Sequence, residues 1–242
     1  MPFQKNESEE AKKRIISVSE LLFSEKGFDA TRVDEIAEAA GVNKALIYYY
    51  FKSKEDILDQ LVQSLFNDFK AITMDFVHNH VVQMIKDGRL DIESDRWRFS
   101  SDEDILSFMQ NVYKYYEIFL DFALEHRRTL RIIVLESLKN SKHHNDLFRL
   151  LNLLNKGDDN PVFKTIWEAD KDYTYTDDTV MFKFFFGFVP LVSFAAYFDD
   201  YKRASPLNEQ ELRDSFLSSY RSLISLQVSG RDMLVWPLGK KD

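Results

Sequence analysis

Residues that turn or break a chain are scarce here, with 7 Gly and 5 Pro serving 242 positions. A β-sandwich or barrel needs a tight turn every ten residues or so, which leaves this chain long helices and few sharp corners. Hydrophobic residues make up 45% and aromatics 14%, enough for a packed core in one large or two modest domains. The expected fold class is all-α.

Apolar spacing places the helices. Ile15, Val18, Leu21 and Leu22 share one face of a first helix spanning residues 9 to 26, closed by Gly27, which can take a positive φ. Thr31 with Asp34 three residues on has the form of a capping box opening a short helix through Val33, Ile36, Ala37 and Ala40. Gly41 closes that helix, Asn43 caps a third through about Tyr50, and Ser53 with Glu55 and Asp56 starts a fourth. The fourth carries Ile57, Leu61, Leu65, Phe69, Ile72 and Phe76 and runs on beyond residue 76. Residues 88 to 104 are polar and read as a connecting loop around Trp97. Helical faces follow at 105 to 120, 130 to 138 and 147 to 154, then two large helices at about 178–201 and 208–228. The tail, 230 to 242, is too short to place.

The residues around Gly41 carry the functional signal. A helix-turn-helix needs a small residue where two helices cross, a Gly at the turn, and an apolar residue locking the second helix onto the first. Ala37, Gly41 and Ile47 fill those roles at gaps of four and six. The net charge of −8 opposes nucleic-acid binding on the whole-chain scale. Residues 42 to 54, however, hold Lys44, Lys52 and Lys54 and no acid, and a focused basic face suffices for DNA while the acidic remainder repels non-specific contacts.

Over about residues 11 to 66 the sequence resembles the tetracycline-repressor (TetR) family of transcriptional regulators. The likeness is carried by Leu22, Phe23, Gly27, Phe28, Thr31, Ile36, Ala37, Gly41, Val42, Lys44, Tyr48, Tyr49, Phe51, Lys54 and Leu58, in order and without gaps. It departs at Ala45, where many members carry Gly, and at Tyr50, often His. The resemblance implies a DNA-binding head of residues 1–52, with the helix-turn-helix at about 32–51. It also implies a helical ligand-binding and dimerisation domain of residues 53–242, and a palindromic operator released by a small-molecule effector. Asn43, Lys44 and Ala45, at the start of the recognition helix, are candidates for base contact: Asn pairs with adenine, Lys donates to guanine, and Ala meets a thymine methyl. Tyr48 and Tyr49 divide between base and phosphate, a role that the family gives to this pair. Thr31, Arg32 and Lys54 stand near helix N-termini, where phosphates bind.

Two recognition helices about a twofold axis reach successive major grooves roughly 34 Å apart, so a homodimer is expected, with double-stranded DNA as partner. Its interface is expected in the last helix pair, with Phe184, Phe188 and Leu191 facing Leu212, Phe216 and Tyr220 across a four-helix bundle. Phe108, Tyr113, Tyr116, Phe119 and Trp167 either line an apolar cavity or fill the core. The apolar stretch from Phe184 to Phe198 is 15 residues long, short of the roughly 20 of a membrane span. The chain has no Cys, which fits a reducing cytoplasm, and its charged first residues do not form a secretory signal. His78 with His80, and His143 and His144 with Asp146, are not spaced as metal ligands, so no metal and no cofactor is expected. No nucleophile elbow or phosphate loop is present, and an enzyme is not expected. The alternative is a helical partner-binding protein that keeps the head without using it on DNA.

Overall fold

The computed structural model describes residues 3–93, 96–155, 159–174 and 176–225. The tail at 230–242 and residues 226–228 of the expected last helix lie outside the described residues. In chain order the elements are α1 (Phe3–Lys26), α2 (Val33–Ala40), α3 (Lys44–Tyr50), α4 (Lys54–Phe76), β1 (Leu90–Glu93), β2 (Arg96–Phe99), α5 (Asp102–Glu125), α6 (Arg127–Ser137), α7 (Pro161–Ala169), α8 (Asp177–Ala196), α9 (Phe198–Ala204) and α10 (Glu209–Ser225). The described residues form a helical fold with one small hairpin, and the chain divides into two compact units. The first takes residues up to Asp68 together with His126–Leu147; the second takes Phe69–Glu125 and the chain from Phe148 on.

In the first unit α1 ends as expected at Gly27, with φ +87° and its N–H donating to the Phe23 carbonyl at 3.0 Å. The cap of α2 sits one residue later than Thr31 and Asp34 suggest: Arg32 is the N-cap, and its backbone N–H donates to the Glu35 carboxylate at 3.0 Å. Thr31 is withdrawn from that role because it is only 1% exposed, and its hydroxyl donates to the Gly27 carbonyl at 2.9 Å. Gly41 takes φ +64° and ends α2, with the Val42 N–H reaching back to the Ala37 carbonyl at 3.0 Å. Asn43 caps α3 as expected, accepting from the Leu46 N–H at 2.8 Å. Ile15, Phe23, Ile36, Ile47 and Phe51 form the core between these helices. A further helix from far along the chain, α6, packs on α1, where the Thr129 hydroxyl donates to Glu20 at 2.5 Å and Arg131 to the Ser24 carbonyl at 3.3 Å.

The second unit corrects the reading of residues 88 to 104 as a loop. β1 and β2 form an antiparallel hairpin, with Leu90 opposite Phe99 and Ile92 opposite Trp97. Leu90 and Ile92 are buried while Asp91 and Glu93 are exposed, the period-2 alternation of a half-buried strand. Asp104, at the start of α5, holds the end of the hairpin: its carboxylate accepts from Ser101 at 2.8 Å, Arg89 at 2.6 Å and Ser100 at 2.5 Å. The residues expected as a helix at 147 to 154 form a tight 3₁₀ run, Leu147–Leu153.

Helical geometry after α4 continues through a wide π turn, Val77–Val82, and a last turn, Gln83–Lys86. A second π turn, Lys183–Phe188, lies inside α8 just before Pro190. Pro190 has no N–H to continue an α ladder, and the distortion that a proline imposes within a helix takes the form of this widened turn. At 20 residues α8 is long and apolar enough to cross a membrane, so length does not exclude a span as the 15-residue count suggests. Its Phe184, Phe188, Leu191 and Ala195 are nevertheless buried in the unit's own core, where Phe188 packs 5.2 Å from Phe69 and 5.4 Å from Phe119. Residues expected at a dimer interface, including Leu212 and Tyr220, face that same core. The other side of α8 presents Met181, Phe185 and Phe186 as exposed.

Two outcomes follow from these local constraints. Gly41→Ala places a Cβ in the left-handed region and is expected to destabilise the first unit by about 1–2 kcal/mol, read by denaturant unfolding. Hydrogen bonds from Ser100 and Ser101, then Arg89, hold the Asp104 carboxyl at about 2, below its ordinary 3.8. The anchoring is therefore complete above the ordinary value and lost as pH falls towards 2. Amide protection in β1 and β2 is expected to persist down to about pH 4 and to fall below it, whereas Asp104→Asn lowers it at neutral pH.

Candidate nucleic-acid interface

The surface of α3 follows from its single deep anchor. Ile47 is buried against α1 and α2, and with 3.6 residues per turn the opposite side of the helix carries Lys44, Ala45, Tyr48 and Tyr49. All four are exposed, Tyr48 by 50% and Tyr49 by 77%. Tyr48 is thus not a core residue. Tyr50 turns inward, its hydroxyl 2.6 Å from Ser8 Oγ and its ring 5.0 Å from that of Tyr49 in an edge-on contact.

The remaining expected site residues divide by what already holds them. Asn43 is exposed, but its side-chain oxygen is taken by the cap, which leaves its amide N–H groups outward. Arg32 is exposed beside the start of α2. Thr31 is buried under that start. The Lys54 ammonium donates to the Phe28 carbonyl at 2.7 Å and the Thr31 carbonyl at 2.9 Å, and lies 4.3 Å from the Phe28 ring centroid. Thr31 and Lys54 therefore tie the α1–α2 connection to the start of α4, and neither side chain is presented outward as Lys44 and the tyrosines are.

Lys44 Nζ is 2.8 Å from Asp34 Oδ1, and this hydrogen bond raises its pKa, so it is a cation throughout the physiological range. Both partners are exposed, and an exposed ion pair is weak enough for a phosphate or a guanine edge to displace. Glu35 is held below the usual carboxylate range by the Arg32 N–H first and Lys26 second. It remains an anion that fastens α2 in place.

His143 is buried with Nδ1 2.9 Å from Asp146 Oδ2, and its ring meets Phe28 edge-on at 5.7 Å. His78 Nδ1 lies 2.8 Å from the Met74 carbonyl. Among the described residues no group of three His, Asp or Glu is arranged to hold a metal ion. The second unit contains an apolar cavity of about 130 Å³. Phe108 and Tyr116 line it, as does Trp97 from the hairpin. Phe119 packs in the core, Tyr113 bonds Ser225 at 2.7 Å, and Trp167 is exposed under the Lys171 ammonium. Sequence reasoning missed Lys183 at this cavity, because a lone lysine at the edge of an apolar run carries no pattern.

A short recognition helix locked by Ile47 behind a left-handed Gly41 defines a helix-turn-helix head. Residues 15–61 match the profile of the bacterial regulatory proteins of the tetR family. Those residues are a TetR-family head. The chain is 43% identical over 63 residues to the biofilm operon icaADBC HTH-type negative transcriptional regulator IcaR of Staphylococcus aureus, across 26% of this chain and 34% of that protein. The Staphylococcus epidermidis IcaR is 41% identical over 58 residues, 24% of this chain and 31% of that protein. The match thus spans about a third of the length of these curated relatives. Among solved structures, a regulator from Clostridium perfringens aligns over 86% of this chain and 97% of its own with a TM-score of 0.51 at 16% identity. The Bacillus subtilis transcriptional regulator FadR, solved with stearoyl-CoA, aligns over 90% and 98% with a TM-score of 0.50 at 18% identity. At such identities the likeness is one of fold.

The different duties of these side chains separate experimentally. Asn43→Ala is expected to cost about 1 kcal/mol of stability through the lost cap, and Lys54→Met to lower the melting temperature. Tyr49→Phe and Lys44→Ala are expected to leave the melting temperature unchanged within about a degree, since both side chains lie in solvent.

Proposed function

We propose that the chain is a sequence-specific DNA-binding transcriptional repressor, acting in the cytoplasm as a homodimer on a palindromic operator and released by a small-molecule effector. The outward face of α3 carries this reading, because Lys44, Ala45, Tyr48 and Tyr49 are exposed together on a helix whose other side is locked. Residues 1–52 contact DNA and residues 53–242 regulate. Asn43, Lys44 and Ala45 meet base edges, Tyr48 and Tyr49 meet bases and phosphates, and Arg32 flanks them on phosphate. Thr31 and Lys54 serve by fixing the start of α2, whose backbone N–H groups attract phosphate. The sense of regulation follows the negative regulators to which the head is similar. No catalytic chemistry is assigned to the chain.

Dimerisation follows from reach. A seven-residue helix reads few base pairs, and two helices on one twofold axis double the readout. The exposed Met181, Phe185 and Phe186 of α8 supply an apolar face for that contact. The effector enters the cavity lined by Trp97, Phe108 and Tyr116, and it shifts the protein away from DNA only by the difference in its affinity for the two states.

Selection of bound genomic fragments tests the reading. The wild type is expected to enrich one palindromic site and to bind it with a steep salt dependence. Lys44→Ala with Tyr49→Phe is expected to cost at least tenfold in operator affinity. A wild type that prefers no genomic fragment over random DNA overturns the repressor in favour of a partner-binding protein that retains the head. Phe186→Glu, at an exposed position, is expected to give folded monomers with weak operator binding; an intact dimer in sedimentation would move the interface off α8. Phe184→Glu, by contrast, buries a carboxylate at a position 2% exposed and is expected to unfold the second unit.

A further inference from the structure

The cavity of the second unit has a neighbour across one of its walls. An open groove of about 410 Å³ runs between α4 and α5, beside the cavity of about 130 Å³. Among the described residues two line both spaces, Phe76 and Tyr115. Their ring centroids are 4.7 Å apart, so the groove and the cavity are divided by a single layer of aromatic side chains.

The two halves of that layer are held differently. Tyr115 is buried, and its hydroxyl is 3.0 Å from that of Thr73, which donates to the Phe69 carbonyl at 3.0 Å. Phe76 is half-buried and has no polar side-chain atom. Its ring meets His80 at 5.5 Å on the groove side and Phe108 at 6.2 Å on the cavity side. Turning the Phe76 ring to another rotamer leaves no donor unsatisfied, whereas turning Tyr115 strips a buried hydroxyl of its partner. The backbone singles out the same residue. Both π turns border the cavity, Val77 and Val81 from one, Lys183 and Phe188 from the other. Phe76 ends α4 and caps the first of them, and such turns are rare within helices and cluster at functional sites.

Polarity changes across the wall. Asp75, Asn111 and Lys114 stand around the groove and keep it hydrated, while the cavity side offers Phe108, Val112 and Leu153. An apolar molecule in the groove therefore gains by passing inward, because burial removes its surface from water. Size limits what the cavity can take: a dry apolar cavity of about 150 Å³ accepts benzene, and this one measures about 130 Å³. We propose that the groove is the antechamber of the effector cavity, and that a compact apolar molecule of about one aromatic ring passes between them as the Phe76 ring turns aside. This rests on the effector reading of the cavity and adds the class of the ligand and its route.

Fluorine exchange NMR of the full chain with fluorobenzene tests the assignment, because it gives association and dissociation rates separately. Phe76→Ala opens the wall and is expected to raise both rates by about tenfold. Ala71→Trp fills the groove at an exposed position that does not line the cavity. It is expected to slow both rates by about fivefold and to leave Kd within about twofold, since a blocked route changes the rates and not the bound state. If Phe76→Ala does not melt cooperatively, Ala71→Trp alone decides. An association rate unchanged by Ala71→Trp would overturn the route through the groove and leave the effector cavity standing. A Phe76→Ala protein that melts cooperatively but gains only in dissociation rate would make Phe76 a wall and not a passage, and overturn it too. If neither wild type nor Phe76→Ala binds fluorobenzene at millimolar concentration, the effector reading of this cavity falls together with the route.

Discussion

A helix of seven residues cannot hold its own shape in water, because nucleation costs more than so few hydrogen bonds return. α3 exists because Ile47 and, just after it, Phe51 are buried against the first two helices, with Asn43 capping one end. That lock also decides what faces outward. Once Ile47 points in, helical phase leaves Lys44, Ala45, Tyr48 and Tyr49 no other direction, so the reading surface is a by-product of the core. The left-handed turn at Gly41 sets where α3 begins relative to α2, and the Lys54 ammonium gathers the Phe28 and Thr31 carbonyls so that α2 starts from a fixed point.

The second unit depends on aromatic packing rather than on a single lock. Phe69, Phe119 and Phe188 meet at ring separations between 4.7 and 5.4 Å, and the cavity lies beside this cluster, bordered by Phe188. Its polar fittings come from elements of different kinds: Lys183 from a π turn, Thr73 from α4, Tyr115 and Tyr116 from α5. None of these residues is near the others in sequence except the tyrosine pair, and their coming together is a property of the packed unit.

This distribution explains what could be read before folding. α2, the turn and α3 were legible because the signals are local: a Gly that must take positive φ, an Asn at a cap, an apolar residue six positions on. The hairpin was hidden because Asp91, Glu93, Arg96 and Arg98 give its segment the composition of a loop, although Leu90, Ile92, Trp97 and Phe99 alternate as strand residues should. The one-residue shift of the α2 cap was hidden because Thr31 is a good capping residue by type, and only its burial against the end of α1 shows that its hydroxyl is engaged elsewhere. The contribution of α6 to the first unit, and of Lys183 to the cavity, rests on contacts between distant segments that no local pattern encodes. For α8, apolarity was legible but its direction was not: the face chosen for a partner is the one that the chain's own core takes up.

Each π turn amounts to one residue more than an α-helix of the same rise requires. Removing a single residue from 77–82 or from 183–188 would let that helix close to regular geometry, at the expense of the wall that it lends to the cavity. Chain length in these two six-residue windows is therefore a coordinate along which related sequences can gain or lose a binding space while every neighbouring helix keeps its hydrophobic pattern.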